Sequence, residues 1–139
     1  MSSLVLDTGG LYALLDEAEP AHDRCVATLD GFDELVLPPL VLVEVDYWCR
    51  KAGGGVKAFQ QLVDDVAAGA YRLEDLTADD LRRAAELEVS YRNLDLGLVD
   101  ASVVALMERL DERHVLTLDR RDFSIVRPRH CVTLRLLPD

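Results

Sequence analysis

The sequence predicts an α/β fold built on a mainly parallel sheet that helices cover on its faces. Short apolar segments alternate with longer segments of helical periodicity, which is typical of parallel sheets with buried strands. The chain has 139 residues, close to the usual size of one domain, and 50% of them are hydrophobic. The sequence contains no internal repeat, low-complexity tract or long linker, so we expect residues 1–139 to form a single domain.

Five short apolar segments are predicted to be strands, at residues 4–6, 35–37, 71–73, 115–118 and 132–136. Several of them end at residues that stop a strand or begin a loop. The first is followed by Asp7, the second by Pro38 and the fourth by Asp119.

Segments with helical spacing fill the intervals between these strands. Residues 11–30 predict helical structure interrupted at Pro20, and residues 40–51 and 56–68 predict two helices separated by a run of glycines. Residues 77–93 begin with a threonine and acidic residues, a pattern typical of a capped helix start. Residues 98–110 are apolar around almost the whole helix, so this helix is predicted to be buried.

The charge balance is strongly acidic, with 15 Lys and Arg against 26 Asp and Glu and a net charge of −11. A uniformly acidic surface repels a phosphate backbone, so composition alone argues against a nucleic-acid-binding protein. The 3 cysteines have no CxxC spacing and do not suggest a disulfide framework. Since the sequence also has no secretory signal and no apolar run of membrane length, we expect a cytoplasmic protein without a membrane partner.

Four acidic residues do not fit a solvated surface. Asp7 and Asp119 directly follow predicted strands, at the edge of a parallel sheet where ligands bind. Glu44 has apolar neighbours at helical spacing, and Asp100 opens the buried helix. Each aspartate alone could instead cap a helix or form an Asx turn, and Glu44 could keep its carboxylate in water. If the four converge they repel one another, and because lysine is rare in this chain we expect a divalent cation, Mg²⁺ or Mn²⁺, as their partner.

These acids lie in four segments, VLDT at 5–8, VE at 43–44, GLVDAS at 97–102 and TLDRRDF at 117–123. In this order the segments resemble the PIN-domain ribonucleases, especially the VapC-type toxins of bacterial toxin–antitoxin pairs, and the similarity extends from residue 4 to about 127. The resemblance implies a Rossmann-like three-layer α/β/α sandwich and an acidic quartet of Asp7, Glu44, Asp100 and Asp119 that binds Mg²⁺ or Mn²⁺. It also implies endonucleolytic cleavage of RNA, with tRNA and rRNA both used by relatives, and inhibition by a cognate VapB-type antitoxin.

The expected chemistry is hydrolysis of a phosphodiester bond by metal-activated water, leaving 5′-phosphate and 3′-hydroxyl ends. Asp7 and Asp100 would hold the cation, and the other two acids of the quartet would act directly or through water. Thr8 and Thr117 are expected to hold the carboxylates by hydroxyl hydrogen bonds.

Basic residues beside the quartet are candidates for RNA binding. Arg120 and Arg121 follow Asp119, and Arg50 and Lys51 end the helix that carries Glu44. They are expected either to bind RNA phosphates at the rim or to be ordinary surface charges. Two divalent ions at the quartet would leave a net charge of about −7, which predicts weak non-specific RNA binding without excluding RNA as the substrate.

Two other classes of function stay open. A metal-dependent phosphatase-like domain also places acids at strand ends, although a haloacid-dehalogenase-like enzyme needs a second aspartate where this chain has Gly9. A receiver domain needs an adjacent acidic pair and a late lysine, both of which the sequence lacks. The other class is a catalytically silent metal-binding module.

The helices are more apolar than a small sheet can obviously cover. We therefore expect a homodimer face and a groove for an amphipathic antitoxin helix, with ordinary core packing as the alternative.

Overall fold

The structure is a computed structural model that describes residues 2–139. Five strands form one sheet in the order β3-β2-β1-β4-β5, and the pairings between neighbours are parallel. The strands are β1 (Ser3–Leu6), β2 (Glu34–Leu37), β3 (Arg72–Leu73), β4 (His114–Leu116) and β5 (Arg135–Leu137).

Seven α-helices connect the strands, with short 3₁₀ turns at Leu29–Gly31 and Arg92–Leu94. The helices are α1 (Thr8–Leu15), α2 (His22–Thr28), α3 (Pro39–Lys51), α4 (Gly55–Ala67), α5 (Ala78–Ser90), α6 (Leu98–Leu110) and α7 (Arg120–Ile125). Within residues 2–139, none of them has the length and apolar character that crossing a bilayer requires.

The chain reverses its direction of travel across the sheet between β1 and β4. It runs outward from β1 to β2 and β3, then returns to the other side of β1 to form β4 and β5. Helices α1–α4 contact one another, and α5 packs against α6. Because parallel crossovers are almost always right-handed, the reversal puts these two groups on opposite faces of the sheet, which gives the three layers that the resemblance implies. Such a reversal opens a crevice at the carboxyl ends of the two central strands, β1 and β4.

The core lies between the sheet and the helices. The apolar residues of β1 are fully buried, and β1 pairs through Val5 with Val36 on one side and Val115 on the other. Helix α6 is buried along residues 101–107, as its sequence predicts. Thr77 and Asp80 form the capping box expected at the start of α5, and the three cysteines are free.

Helix α1 begins against the end of β4. A Cβ built on Gly10 would lie 2.2 Å from the carbonyl oxygen of Leu116, so only glycine permits this approach. The backbone N–H of Asp7 also donates to that oxygen, at 3.0 Å. The two contacts bring Asp7 beside Thr117, the first residue after β4.

Two strand predictions need correction. Strand β4 ends at Leu116, so Thr117 and Leu118 belong to the loop that follows it. The last strand covers residues 135–137 instead of 132–136, because the parallel register pairs Arg135 with His114. Val132 is 83% exposed outside the sheet.

Candidate functional site

A cavity of about 340 Å³ lies at the carboxyl ends of β1 and β4, where the chain reverses across the sheet. It is lined by Asp7, Thr8, Gly9, Glu44, Trp48, Asp100, Leu118 and Asp119. The structure therefore brings together all four acids of the predicted quartet, which come from four separate parts of the chain.

Asp7 supplies a buried carboxylate with one oxygen left free. It occupies the N-cap position of α1 and is 3% exposed, but its side chain makes no capping hydrogen bond. The Thr117 hydroxyl donates to Oδ2 of Asp7 at 2.8 Å. Within residues 2–139, the buried Oδ1 of Asp7 has no hydrogen-bond partner. The capping interpretation therefore fails for Asp7, and Oδ1 remains available to a ligand.

The two threonines hold carboxylates as the sequence predicts. The Thr8 hydroxyl donates to Oε1 of Glu44 at 2.6 Å, which links the start of α1 to α3. The Thr117 hydroxyl makes hydrogen bonds with two residues. It donates to Asp7 and accepts from the backbone N–H of Asp119 at 3.0 Å. The hydrogen bond between Thr117 and Asp7 is buried and the one between Thr8 and Glu44 is partly buried, and both orient their carboxylates.

Asp122 is an acidic neighbour whose role the sequence interpretation missed. Carboxylate oxygens of Asp100, Asp119 and Asp122 lie within 4.8 Å of one another, close enough to share one cation. Asp119 caps α7, since its Oδ1 accepts from the backbone N–H of Asp122 at 3.2 Å, so the capping interpretation holds for this residue. The spacing of three residues between Asp119 and Asp122 was the available signal, because it places both on one side of the first helical turn.

Two carboxyl groups of the site, those of Asp7 and Asp100, have raised pKa values. Burial raises the pKa of Asp7 to about 6, and the carboxylates of Asp119 and Glu44 add to this rise against the hydrogen bond from Thr117. Burial, followed by the charges of Asp7 and the other nearby acids, raises the pKa of Asp100 to about 7. None of the ion pairs within residues 2–139 includes an acid of the quartet or Asp122.

This donor set fits a hard divalent cation. The available ligands are carboxylate oxygens, which Mg²⁺ and Mn²⁺ prefer. A cation would satisfy the unpartnered Oδ1 of Asp7 and offset the mutual repulsion that opposes ionisation of Asp7 and Asp100.

The cavity described above is not lined by any of the four residues predicted to bind RNA, which are Arg50, Lys51, Arg120 and Arg121. The Arg120 guanidinium donates to the carbonyl oxygen of Pro138 at 2.9 Å, near the end of the chain. Arg50 pairs with Asp46, the partner that its helical spacing suggests, and both Arg50 and Lys51 lie over the ring of Tyr47. Arg121 is exposed.

Comparison with known proteins gives consistent matches. A family model described as the PIN domain matches residues 4–127. Ribonuclease VapC26 of Mycobacterium tuberculosis is 36% identical over 126 residues, which cover 90% of this chain and 93% of that protein.

Solved structures share the fold at lower identity. VapC20 of M. tuberculosis, described as a toxin that cleaves the sarcin–ricin loop, superposes with a TM-score of 0.72 at 21% identity, covering 81% of this chain and 86% of that one. VapBC2 of Rickettsia felis, bound to a DNA fragment from its promoter, gives a TM-score of 0.68 at 15% identity over 97% of both chains.

Proposed function

This chain belongs to the PIN-domain family, and from that premise we propose that it is a metal-dependent endoribonuclease and the toxin of a toxin–antitoxin pair. The observation that carries the proposal is the convergence of Asp7, Glu44, Asp100 and Asp119 in one cavity without a basic partner. The relative that covers most of this chain is named a ribonuclease, and its 36% identity supports the same activity here.

The proposed reaction is hydrolysis of an RNA phosphodiester bond, with products that carry 5′-phosphate and 3′-hydroxyl ends. A bound divalent cation supplies the chemistry by lowering the pKa of a water molecule and neutralising charge on the phosphate. Asp7, Asp100 and Asp119 would hold this cation with help from Glu44, and Asp122 joins them through its place beside Asp100 and Asp119.

The surrounding residues prepare these carboxylates. The Thr117 hydroxyl holds Oδ2 of Asp7, which leaves Oδ1 for the cation. The Thr8 hydroxyl holds Glu44 in the same way from the neighbouring helix. Because these two hydrogen bonds orient the carboxylates, they would reduce the number of rotamers that must be ordered when the cation binds.

The finer choices within this function are Mg²⁺ as the physiological ion, with Mn²⁺ as its substitute, and tRNA or rRNA as the substrate. Arg121, Arg50 and Lys51 remain proposed contacts for RNA phosphates at the rim of the site. Arg120 keeps this role only if its guanidinium leaves the carbonyl oxygen of Pro138. The proposed location is the cytoplasm, where the three free cysteines stay reduced.

A VapB-type antitoxin is the proposed protein partner. Among the structural neighbours, a toxin–antitoxin complex of Klebsiella pneumoniae shares this fold with a TM-score of 0.68. The homodimer stays a prediction, and exposed apolar side chains on α3 and α4, including Val43 and Val56, agree with it. Light scattering during size-exclusion chromatography checks this point, and a monomer at micromolar concentration would contradict it.

The function is tested with purified protein and cellular RNA in Mg²⁺, in Mn²⁺ and in EDTA, with the 5′ ends of the products mapped by sequencing. The wild type should cut RNA at defined sites only when a divalent ion is present, and Asp7→Asn should not cut. Cleavage at wild-type rate by Asp7→Asn in clean preparations would contradict the proposal. Mn²⁺ binding without hydrolysis of any RNA would favour the silent metal-binding module instead.

A further inference from the structure

Trp48 is an aromatic side chain in an otherwise acidic cavity. It is the only tryptophan of the chain and lies on α3 four residues after Glu44, so the two side chains share one face of the helix. Trp48 lines the cavity with the acids and is 41% exposed. Metal binding uses the carboxylates and leaves this exposed ring without a role.

The ring of Trp48 packs against the ring of Tyr12. Its edge-to-face contact with Tyr12 has a centroid distance of 5.4 Å and an interplanar angle of 83°. Tyr12 is partly buried on α1, the helix that begins beside Asp7. Tyr12 therefore packs against one side of the ring, and the exposed part of Trp48 forms an aromatic surface at the cavity wall. Leu118, which is 38% exposed, adds a second apolar surface to the same cavity.

We infer that Trp48 is the stacking surface for an RNA base next to the cleaved phosphate. The inference rests on the proposed function and deepens it. A nucleotide joins a phosphate to a flat aromatic base, and this cavity joins a carboxylate floor suited to a cation and phosphate to an exposed aromatic wall. Every base has an aromatic face, so stacking contributes affinity without requiring a particular sequence.

The charge of the protein increases the need for such a contact. The net charge is −11, and the Arg120 guanidinium already donates to the carbonyl oxygen of Pro138. Electrostatic attraction to the phosphate backbone is therefore weak. A stacking contact with the base supplies part of the binding affinity that phosphate contacts would otherwise supply. A protein segment could also cover Trp48, but the position of the ring inside the acidic cavity favours a ligand that carries phosphate and base together.

The test combines kinetics with the fluorescence of Trp48, using an oligoribonucleotide that contains a cleavage site mapped as described above. Trp48→Leu should raise KM about fivefold to a hundredfold with kcat changed less than about threefold. Trp48→Phe should recover much of the affinity because it restores an aromatic face. Val89→Ala is the control, since Val89 is exposed on α5 and does not line the cavity, and its KM should stay at the wild-type value.

Fluorescence of Trp48 tests the inference in the wild-type protein, without any substitution. With Ca²⁺ replacing Mg²⁺ to slow cleavage, the oligoribonucleotide should quench the emission of Trp48, and a ribose-phosphate oligomer of equal length without bases should not. Equal effects of both oligomers, or an unchanged KM in Trp48→Leu, would overturn the inference while RNA cleavage by the wild type still supports the proposed function. An unchanged KM combined with weaker binding of the antitoxin would assign Trp48 to the protein partner and likewise overturn it. If neither the wild type nor Asp7→Asn cleaves RNA, the proposed function fails and the inference fails with it.

Discussion

The two ends of α6 carry partly buried carboxylates in opposite electrostatic situations. At the first turn, Asp100 faces other acids, and burial together with their charges raises its pKa to about 7. At the last turn, burial alone would raise the pKa of Glu108, but hydrogen bonds from Arg83 and from the backbone N–H of Arg129 lower it. The Arg83 guanidinium reaches both carboxylate oxygens of Glu108, at 2.8 and 3.0 Å.

The comparison teaches what a buried acid needs. A helix N-terminus favours a carboxylate by about 0.3–1 kcal/mol, which should help Asp100, yet burial and four neighbouring carboxylates outweigh it. Glu108 receives its positive partner from within the chain. Asp100 has no such partner among the described residues, so its carboxyl either keeps a proton or needs a bound cation to balance its charge. We therefore expect Glu108 to contribute to stability and Asp100 to contribute to cation binding.

The largest expected effect comes from changing the unpaired end. Asp100→Asn should lower the rate of RNA cleavage by at least about a thousandfold, because losing a ligand of the cation removes several kcal/mol of transition-state stabilisation. The measurement is single-turnover cleavage of RNA in Mg²⁺. Asp111→Asn is the matched control, since Asp111 is exposed at the other end of α6 and asparagine tolerates its positive φ of 55°. Equal loss of activity in both variants would contradict the comparison.

The next effect is a pH dependence of metal affinity. Because Asp7 and Asp100 hold protons with pKa values of about 6 and about 7, the cation must displace these protons at low pH. The affinity for Mn²⁺ should rise about tenfold or more from pH 6 to pH 8. Calorimetric titration at both pH values checks this, and an affinity that stays constant over the interval would show that these carboxyls do not bind the ion.

Substitution of Glu108, which is paired with Arg83, should lower the stability of the protein and leave its activity unchanged. Glu108→Gln removes the charge that Arg83 faces, where the two side chains are 9% and 17% exposed, so we expect a loss of about 3 kcal/mol in the free energy of unfolding. Urea denaturation measures this loss, and cleavage at saturating Mg²⁺ should stay at the wild-type rate. Asp46→Asn, which breaks the exposed pair with Arg50, should change stability by less than about 1 kcal/mol. If Asp46→Asn is as damaging as Glu108→Gln, burial of the ion pair is not the cause.

The smallest effect concerns the metal-free protein. Burial raises the pKa of Asp7 from 3.8 to about 6, so the folded state binds this proton more tightly than the unfolded chain does. Its contribution favours folding at low pH and is lost as the pH rises from about 4 through 6. At pH 8 in EDTA, the free energy of unfolding of Asp7→Asn should therefore be about 2 kcal/mol higher than that of the wild type. At pH 4 the variant should show no such gain in stability. A variant less stable than the wild type at pH 8 would show that the charge of Asp7 does not oppose folding.

Much of the fold follows from local sequence, because the short strand β1 and the longer helix α6 are both apolar runs with clear ends. The last strand does not, since Val132 has the composition of a strand residue and yet lies outside the sheet. Its placement depends on the register between Arg135 and His114, a contact between distant parts of the chain.

The candidate site shows the same division. Asp7 and Asp119 stood out because each directly follows an apolar strand segment, and Glu44 and Asp100 because their neighbours in the sequence are apolar. Asp122 lies among charged residues, and the only sequence feature that could have indicated its place in the site is its spacing of three residues from Asp119. The contact of Arg120 with the carbonyl oxygen of Pro138 links two distant segments, so no local pattern could reveal it.

The central claim is that the unpaired acids are the divalent-cation site on which the activity depends. Calorimetric titration of Mn²⁺ at pH 8 into the wild type, Asp100→Asn and Asp111→Asn tests it most directly. We expect the wild type and Asp111→Asn to bind Mn²⁺ equally and Asp100→Asn to bind it at least about tenfold more weakly. Undiminished binding by Asp100→Asn would contradict the account.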